Sequence, residues 1–226
     1  MDLDRAREYR SVYRVSFYAT IVMLIIIPVQ ILVFVVTKIP ATTIAWFELF
    51  RDSVVLGMFH ADLFILINNV LIAVIYLAFY HSLKDVDKGM LQIGIMIGLI
   101  GIAAYISSNK TFELMALSRQ YFLAAEGDAK LAIEAAGKAS LAGWQGTAFD
   151  AYYVLNGIAL FVISILMYRS DVYTKATATW GLLAAIFMII PSTAGTLGLV
   201  CSLASLVPWY VFGVRFAKVF RALGRP

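Results

Sequence analysis

The stretch "IVMLIIIPVQILVFVV", residues 21–36, contains a single polar side chain, Gln30. A block this apolar belongs in hydrocarbon, where every backbone N–H and C=O needs a partner within the protein. Only helices and closed barrels meet that demand. A barrel strand alternates in polarity over about ten residues, and this block does not alternate. The block therefore predicts a membrane-spanning helix, and comparable blocks recur along the chain. The composition agrees: 62% of the 226 residues are hydrophobic and 14% charged, with mean hydropathy +0.87. A soluble domain is roughly half apolar and a quarter charged. The block from Val15 to Val36 is too long for a signal-peptide core, and no small-residue cleavage pattern follows it.

The fold class expected is an all-α membrane protein, a single domain over residues 1–226 with six transmembrane helices. The spans are read as residues 13–36, 54–80, 90–107, 147–168, 176–190 and 197–214. A spanning helix needs about 20 mostly apolar residues. Pro28 and Pro208 fall inside spans and are expected to kink them, because each removes a backbone donor. "PSTAGTLG" reads as a tight turn that makes the last two helices antiparallel neighbours.

Lys and Arg set the orientation. One side carries Arg5, Arg7, Arg10, Arg14, Lys84, Lys88, Arg169, Lys175, Arg215, Lys218, Arg221 and Arg225. The other carries Lys38, Arg51, Lys110, Arg119, Lys130 and Lys138. The first set is twice the second and lies on the shorter loops, so both termini are expected in the cytoplasm.

Residues 108–146 are too long for an unstructured connection. "TFELMALSRQYFLAA" is apolar nearly all round a helix, with Glu113 and Gln120 on one narrow polar stripe. "AKLAIEAAGKASLAG" places Lys130, Glu134 and Lys138 at i, i+4 and i+8. The expectation is an outer helical-hairpin insertion between helices three and four, folded over the mouth of the bundle. If a site lies beneath, the Glu113/Gln120 stripe faces it. If none does, the stripe faces water. A second outer stretch, "TTIAWFELFRDS", suits the membrane interface.

Polar side chains inside spans are the usual pointers to function. Gln30, His60, Asp62, Asp150 and Asn156 join Glu113 and Gln120 as candidate ligand-binding residues. Asn68 and Asn69 lie at the depth of Asn156. They predict either an interhelical hydrogen bond, about 0.6 kcal/mol on average, or a shared polar pocket. Asp62 at the hydrocarbon boundary requires a partner, with Arg51 and Arg119 in reach, or a proton. His60 and Asp62 are i, i+2 and do not share a helix face.

Cys201 is the only cysteine, which excludes an intrachain disulfide. No metal motif, phosphate-binding glycine loop, nucleophile elbow or arginine ladder occurs. No metal, cofactor or nucleic acid is expected.

"NKTFELMALSRQYFLAA", "GWQGTAFDAYYVLNGIALFVISILMYRSDVYTKATATWGLL" and "PSTAGTLGLVCSLASLVPWYVFGVRFAKVFRAL" resemble a bacterial family of six-helix integral membrane proteins classed as a domain of unknown function. The likeness covers residues 59–223. It implies a bacterial plasma-membrane location and brings no catalytic residues with it.

Three functions remain open on this reading. The first is a non-enzymatic protein with an outward-facing lidded cavity for a lipid or small amphipathic molecule, serving sensing or carriage. The second is a structural subunit that docks a membrane-protein partner through the insertion. The third is a lipid-modifying enzyme using Asp62, His60 or Glu113.

Overall fold

The computed structural model describes residues 8–191 and 193–225. Arg5 and Arg7 of the basic set lie outside the described residues, as does Ser192 of the "PSTAGTLG" turn. The described residues are mostly helical and contain no strand. The helices are α1 (Arg10–Val36), α2 (Thr43–Asp52), α3 (Val54–His60), α4 (Leu63–Leu83) and α5 (Lys88–Ser108). They continue as α6 (Thr111–Leu123), α7 (Asp128–Trp144), α8 (Thr147–Tyr168), α9 (Lys175–Met188) and α10 (Gly195–Leu223). Side-chain caps fix four of the starts. Thr42, Ser53, Asp87 and Thr174 accept from Ala45, Leu56, Met90 and Thr177 N–H groups at 3.0–3.2 Å, satisfying donors that a helix start leaves orphaned.

Among the described residues five segments are long and apolar enough to cross a membrane: Arg10–Val36, Leu63–Leu83, Lys88–Leu123, Asp128–Tyr168 and Gly195–Leu223. The third runs through α5 and α6, and the fourth through α7 and α8. Lys175–Met188, 14 residues long, is a shorter apolar helix. Their large apolar side chains point outward in number, as in Val35 and Met96, which is the surface expected of a protein solvated by lipid.

The long helices pack in a closed order: α5 on α8, α8 on α9, α9 on α10, α10 on α1, α1 on α4 and α4 on α5. The α5–α8 contact is the most extensive. Glycine makes it so. A Cβ at Gly94 or Gly101 would meet the Val162 or Asn156 side chain of α8 at 2.9 and 2.5 Å, and one at Gly98 would meet Tyr76 of α4 at 2.6 Å. This small-residue face lets backbones approach where lipid supplies no hydrophobic drive. Tyr76 Oη, reaching from α4, donates to Asn156 Oδ1 on α8 at 2.8 Å.

The two ends of the bundle differ. At one end Tyr9 stacks on His81, Arg169 faces Asp87, and Gly224 lies against the Arg14 backbone. This gathers the α1 start, the α4–α5 and α8–α9 links and the α10 end. An aromatic cluster of Tyr13, Phe79, Tyr173, Phe212, Phe216 and Phe220 fills the core there. The other end is covered by a cap of α2, α3, α6 and α7 with its own core, built on Trp46, Phe47, Phe50, Leu114 and Trp144. Ser118 Oγ donates to Phe47 O at 2.6 Å and ties α6 to α2. Gly137 lets α7 close on Phe47 and Thr43.

The span expected over residues 54–80 is interrupted. Asp62 adopts φ 66, the left-handed region, and separates α3 from α4. The break frees the Ala61 carbonyl from its helical partner. Asn109 Nδ2 and Thr111 Oγ1, at the α5–α6 junction, donate to it at 3.1 and 2.6 Å. The last helix also runs past residue 214 to Leu223, because Arg215 and Lys218 end the apolar run without ending the helix.

Candidate functional site

The α3–α4 break organises a polar girdle beneath the cap. Gln30 Nε2, on α1, donates to the Phe59 carbonyl at 3.1 Å. His60 Nε2 meets Thr37 Oγ1 at 2.7 Å, while that hydroxyl donates to Val33 O at 2.6 Å. A hydroxyl has one proton to give, so His60 donates through Nε2, and its buried Nδ1 has no hydrogen-bond partner among the described residues. Burial lowers the His60 pKa, favouring the neutral ring.

Trp46 stands edge-on to both His60 and Trp144, at 6.4 and 5.5 Å between ring centroids. Trp144, the last residue of α7, donates from Nε1 to Asp62 Oδ2 at 3.1 Å. Asp62 is 5% exposed. Burial pushes its carboxyl up to about 7, and the Trp144 bond opposes that rise. Neither Arg51 nor Arg119 is its partner: Arg51 pairs with Asp52, and Arg119 is exposed.

Below this girdle, within the span level of α1, α4, α8 and α10, lies a cavity of about 250 Å³. Its walls are mostly apolar, with Ile27, Ile72, Leu206 and Trp209 among them. Gln30, Asn68, Tyr152, Tyr153, Ser202 and Ser205 supply its polar groups. Tyr153 Oη lies 3.3 Å from Ser202 Oγ. The oxygens Gln30 Oε1 and Asn68 Oδ1 are buried without a partner among the described residues. The wall also includes Ile31 and Leu203, which are 42% and 59% exposed. The cavity thus meets the lipid-facing surface between α1 and α10, the two helices that carry Pro28 and Pro208. Met188, the last residue of the short α9, closes it from a third side.

The sequence-derived candidates separate. Gln30 and Asn68 share the cavity, and Gln30 reaches the backbone beside His60. His60 and Asp62 lie in the girdle. Asn156 takes Tyr76 as its partner, rather than Asn68 or Asn69, and returns Nδ2 to Tyr152 O. Asn69 Nδ2 donates to Ile65 O on its own helix. Asp150 accepts from Thr193 at the turn before α10. Exposed Glu113 pairs with half-buried Lys110, and Gln120 is exposed, so their stripe faces water, as expected where no site lies directly beneath the stripe; the cavity deeper in the bundle is lined without either residue.

Sequence reasoning passed over Ser202, Ser205 and Trp209, although their i, i+3, i+7 spacing marks one helix face. It also passed over the Trp46–Trp144 pair. Among the described residues no group of His, Cys, Asp and Glu is arranged to hold a metal.

Compared with models of protein families, with curated proteins and with solved structures, the chain matches none.

Proposed function

We propose that the chain is a non-enzymatic multi-pass protein of a bacterial plasma membrane that binds a lipid or small amphipathic molecule in the cavity beneath its cap, for sensing or carriage. In this reading six helices cross the bilayer, both termini are cytoplasmic, and α6 and α7 form the outer insertion. Helix α9 is about 21 Å long by helical rise, short of a core near 30 Å. A locally thinned bilayer accommodates it.

The observation that carries the proposal is the cavity itself: apolar walls reaching lipid between α1 and α10, with a few buried polar groups at its inner end. Small-molecule sites have this make-up, and its volume sits just below their usual range of roughly 300–1,000 Å³. An amphipathic molecule enters sideways from the bilayer, leaving its polar end by Gln30, Asn68 and Tyr153. The polar groups that line the cavity are amides and hydroxyls, which suit hydrogen bonding to the polar end of such a molecule.

Native mass spectrometry of the gently solubilised full chain tests this. The wild type retains a bound lipid-sized mass, and Leu206→Trp, which fills the cavity, loses it while remaining folded. Equal retention by Leu206→Trp and by Ser205→Phe places the ligand elsewhere and defeats the proposal.

A further inference from the structure

The end of the bundle away from the cap carries a second pocket of about 170 Å³, lined by Arg14 and Tyr18 of α1 and by Arg221 and Arg225 at the end of α10. The two helices come close because residue 224 is glycine. A Cβ there would lie 3.2 Å from the Arg14 amide nitrogen. All three arginines are exposed, and among the described residues none forms an ion pair.

A helix C-terminus carries about half a negative charge. Three guanidinium groups exceed that several-fold, so balancing the α10 dipole does not account for them. The pocket is also aromatic: Phe17 and Phe220 share its wall with Tyr18. From it an exposed stripe climbs α1 towards the membrane interior, through Tyr18, Val22 and Ile25 at i, i+4, i+7.

We infer that this pocket binds the phosphate headgroup of an anionic phospholipid, whose acyl chains lie along the Tyr18–Val22–Ile25 face. Guanidinium groups bind phosphate through paired N–H donors, and basic pockets between helices at a membrane surface recognise anionic headgroups. The aromatic wall and the apolar stripe supply what a free anion would not need. The site is separate from the cap cavity and does not depend on what that cavity holds.

The test uses the delipidated full chain with phosphatidylglycerol, phosphatidylcholine or inorganic phosphate, read by native mass spectrometry over increasing salt. Phosphatidylglycerol is retained in preference to phosphatidylcholine, less so as salt rises. Each arginine removed weakens retention about fivefold. Arg14→Gln/Arg221→Gln/Arg225→Gln therefore abolishes the preference, whereas Arg221→Lys keeps most of it.

Arg215 and Lys218 line a different pocket with Thr174 and Tyr210, so Arg215→Gln/Lys218→Gln leaves the preference in place. Equal retention of the two lipids by wild type overturns the inference, and that comparison stands even if the triple variant fails to fold. So does a preference that survives the triple substitution, or one lost equally in the Arg215/Lys218 variant. Displacement of the lipid by inorganic phosphate at millimolar concentration assigns the pocket to a free anion and overturns the lipid reading.

Discussion

Asp62 concentrates the tension in this molecule. It is a carboxylate in the left-handed backbone region, enclosed beneath a cap, with an indole N–H as its hydrogen-bond donor. Because burial raises its folded-state pKa to about 7, the folded state holds a proton that the unfolded chain releases near the ordinary carboxylate value. The contribution to stability is therefore complete below that ordinary value and is lost as pH rises through about 7. Asp62→Asn keeps the shape and the acceptor for Trp144 but cannot ionise. Thermal unfolding in detergent from mildly acidic to mildly alkaline pH should show the wild type losing stability relative to Asp62→Asn. Parallel curves would mean that the Asp62 carboxyl does not titrate in this range. His60 acts in the opposite sense, because its lowered pKa costs stability as pH falls, and the comparison of two proteins that both carry it removes its effect.

At the scale of elements, the long helices were legible in the sequence and their contacts were not. Hydropathy is a local property, so apolar blocks mark helices whatever they pack against. The α3–α4 break was hidden because "FHADLFIL" contains neither glycine nor proline. An aspartate takes the left-handed turn, and tertiary bonds from Asn109 and Thr111 hold the freed carbonyl. Depth along a helix placed Asn68, Asn69 and Asn156 at one level. It could not give the rotation that turns Asn156 to Tyr76. The Gly94, Gly98 and Gly101 face, by contrast, stands in the sequence as "GIMIGLIG" and went unread. Its weight is measurable. Gly101→Val forces a side chain against Asn156 Nδ2, 2.5 Å from the position of the new Cβ. It should cost about 1–3 kcal/mol, seen as a lowered unfolding midpoint. Gly89→Ala, whose Cβ meets only Asp87 Oδ1 at 3.8 Å, should change little. Equal effects of the two would detach stability from the α5–α8 contact.

For the whole molecule, the closed order of helices and the separate cap core divide the chain into a membrane body and a covered end. Of the candidate site, the sequence showed which polar residues lie within spans, including Gln30 and Asn68. It did not show the cavity, which exists only where four helices and the end of α9 fail to fill the space between them. The proposed orientation has its own check. In a Cys201→Ser background, Lys130→Cys on α7 should react with an impermeant thiol reagent added outside intact cells. Reaction only after the cytoplasmic face is opened would reverse the orientation.

The central claim, that the cavity is a binding site entered from the bilayer, is tested most directly by photolabelling the full chain in vesicles with a diazirine-bearing lipid and mapping the adducts. The account predicts saturable labelling of the cavity wall around Ser205 and Leu206, competed by unlabelled lipid, above a weak, non-saturating background on outward side chains such as Ile93 and Met96. Labelling that never saturates and is spread evenly over the lipid-facing surface, with no excess at the cavity wall, would contradict it.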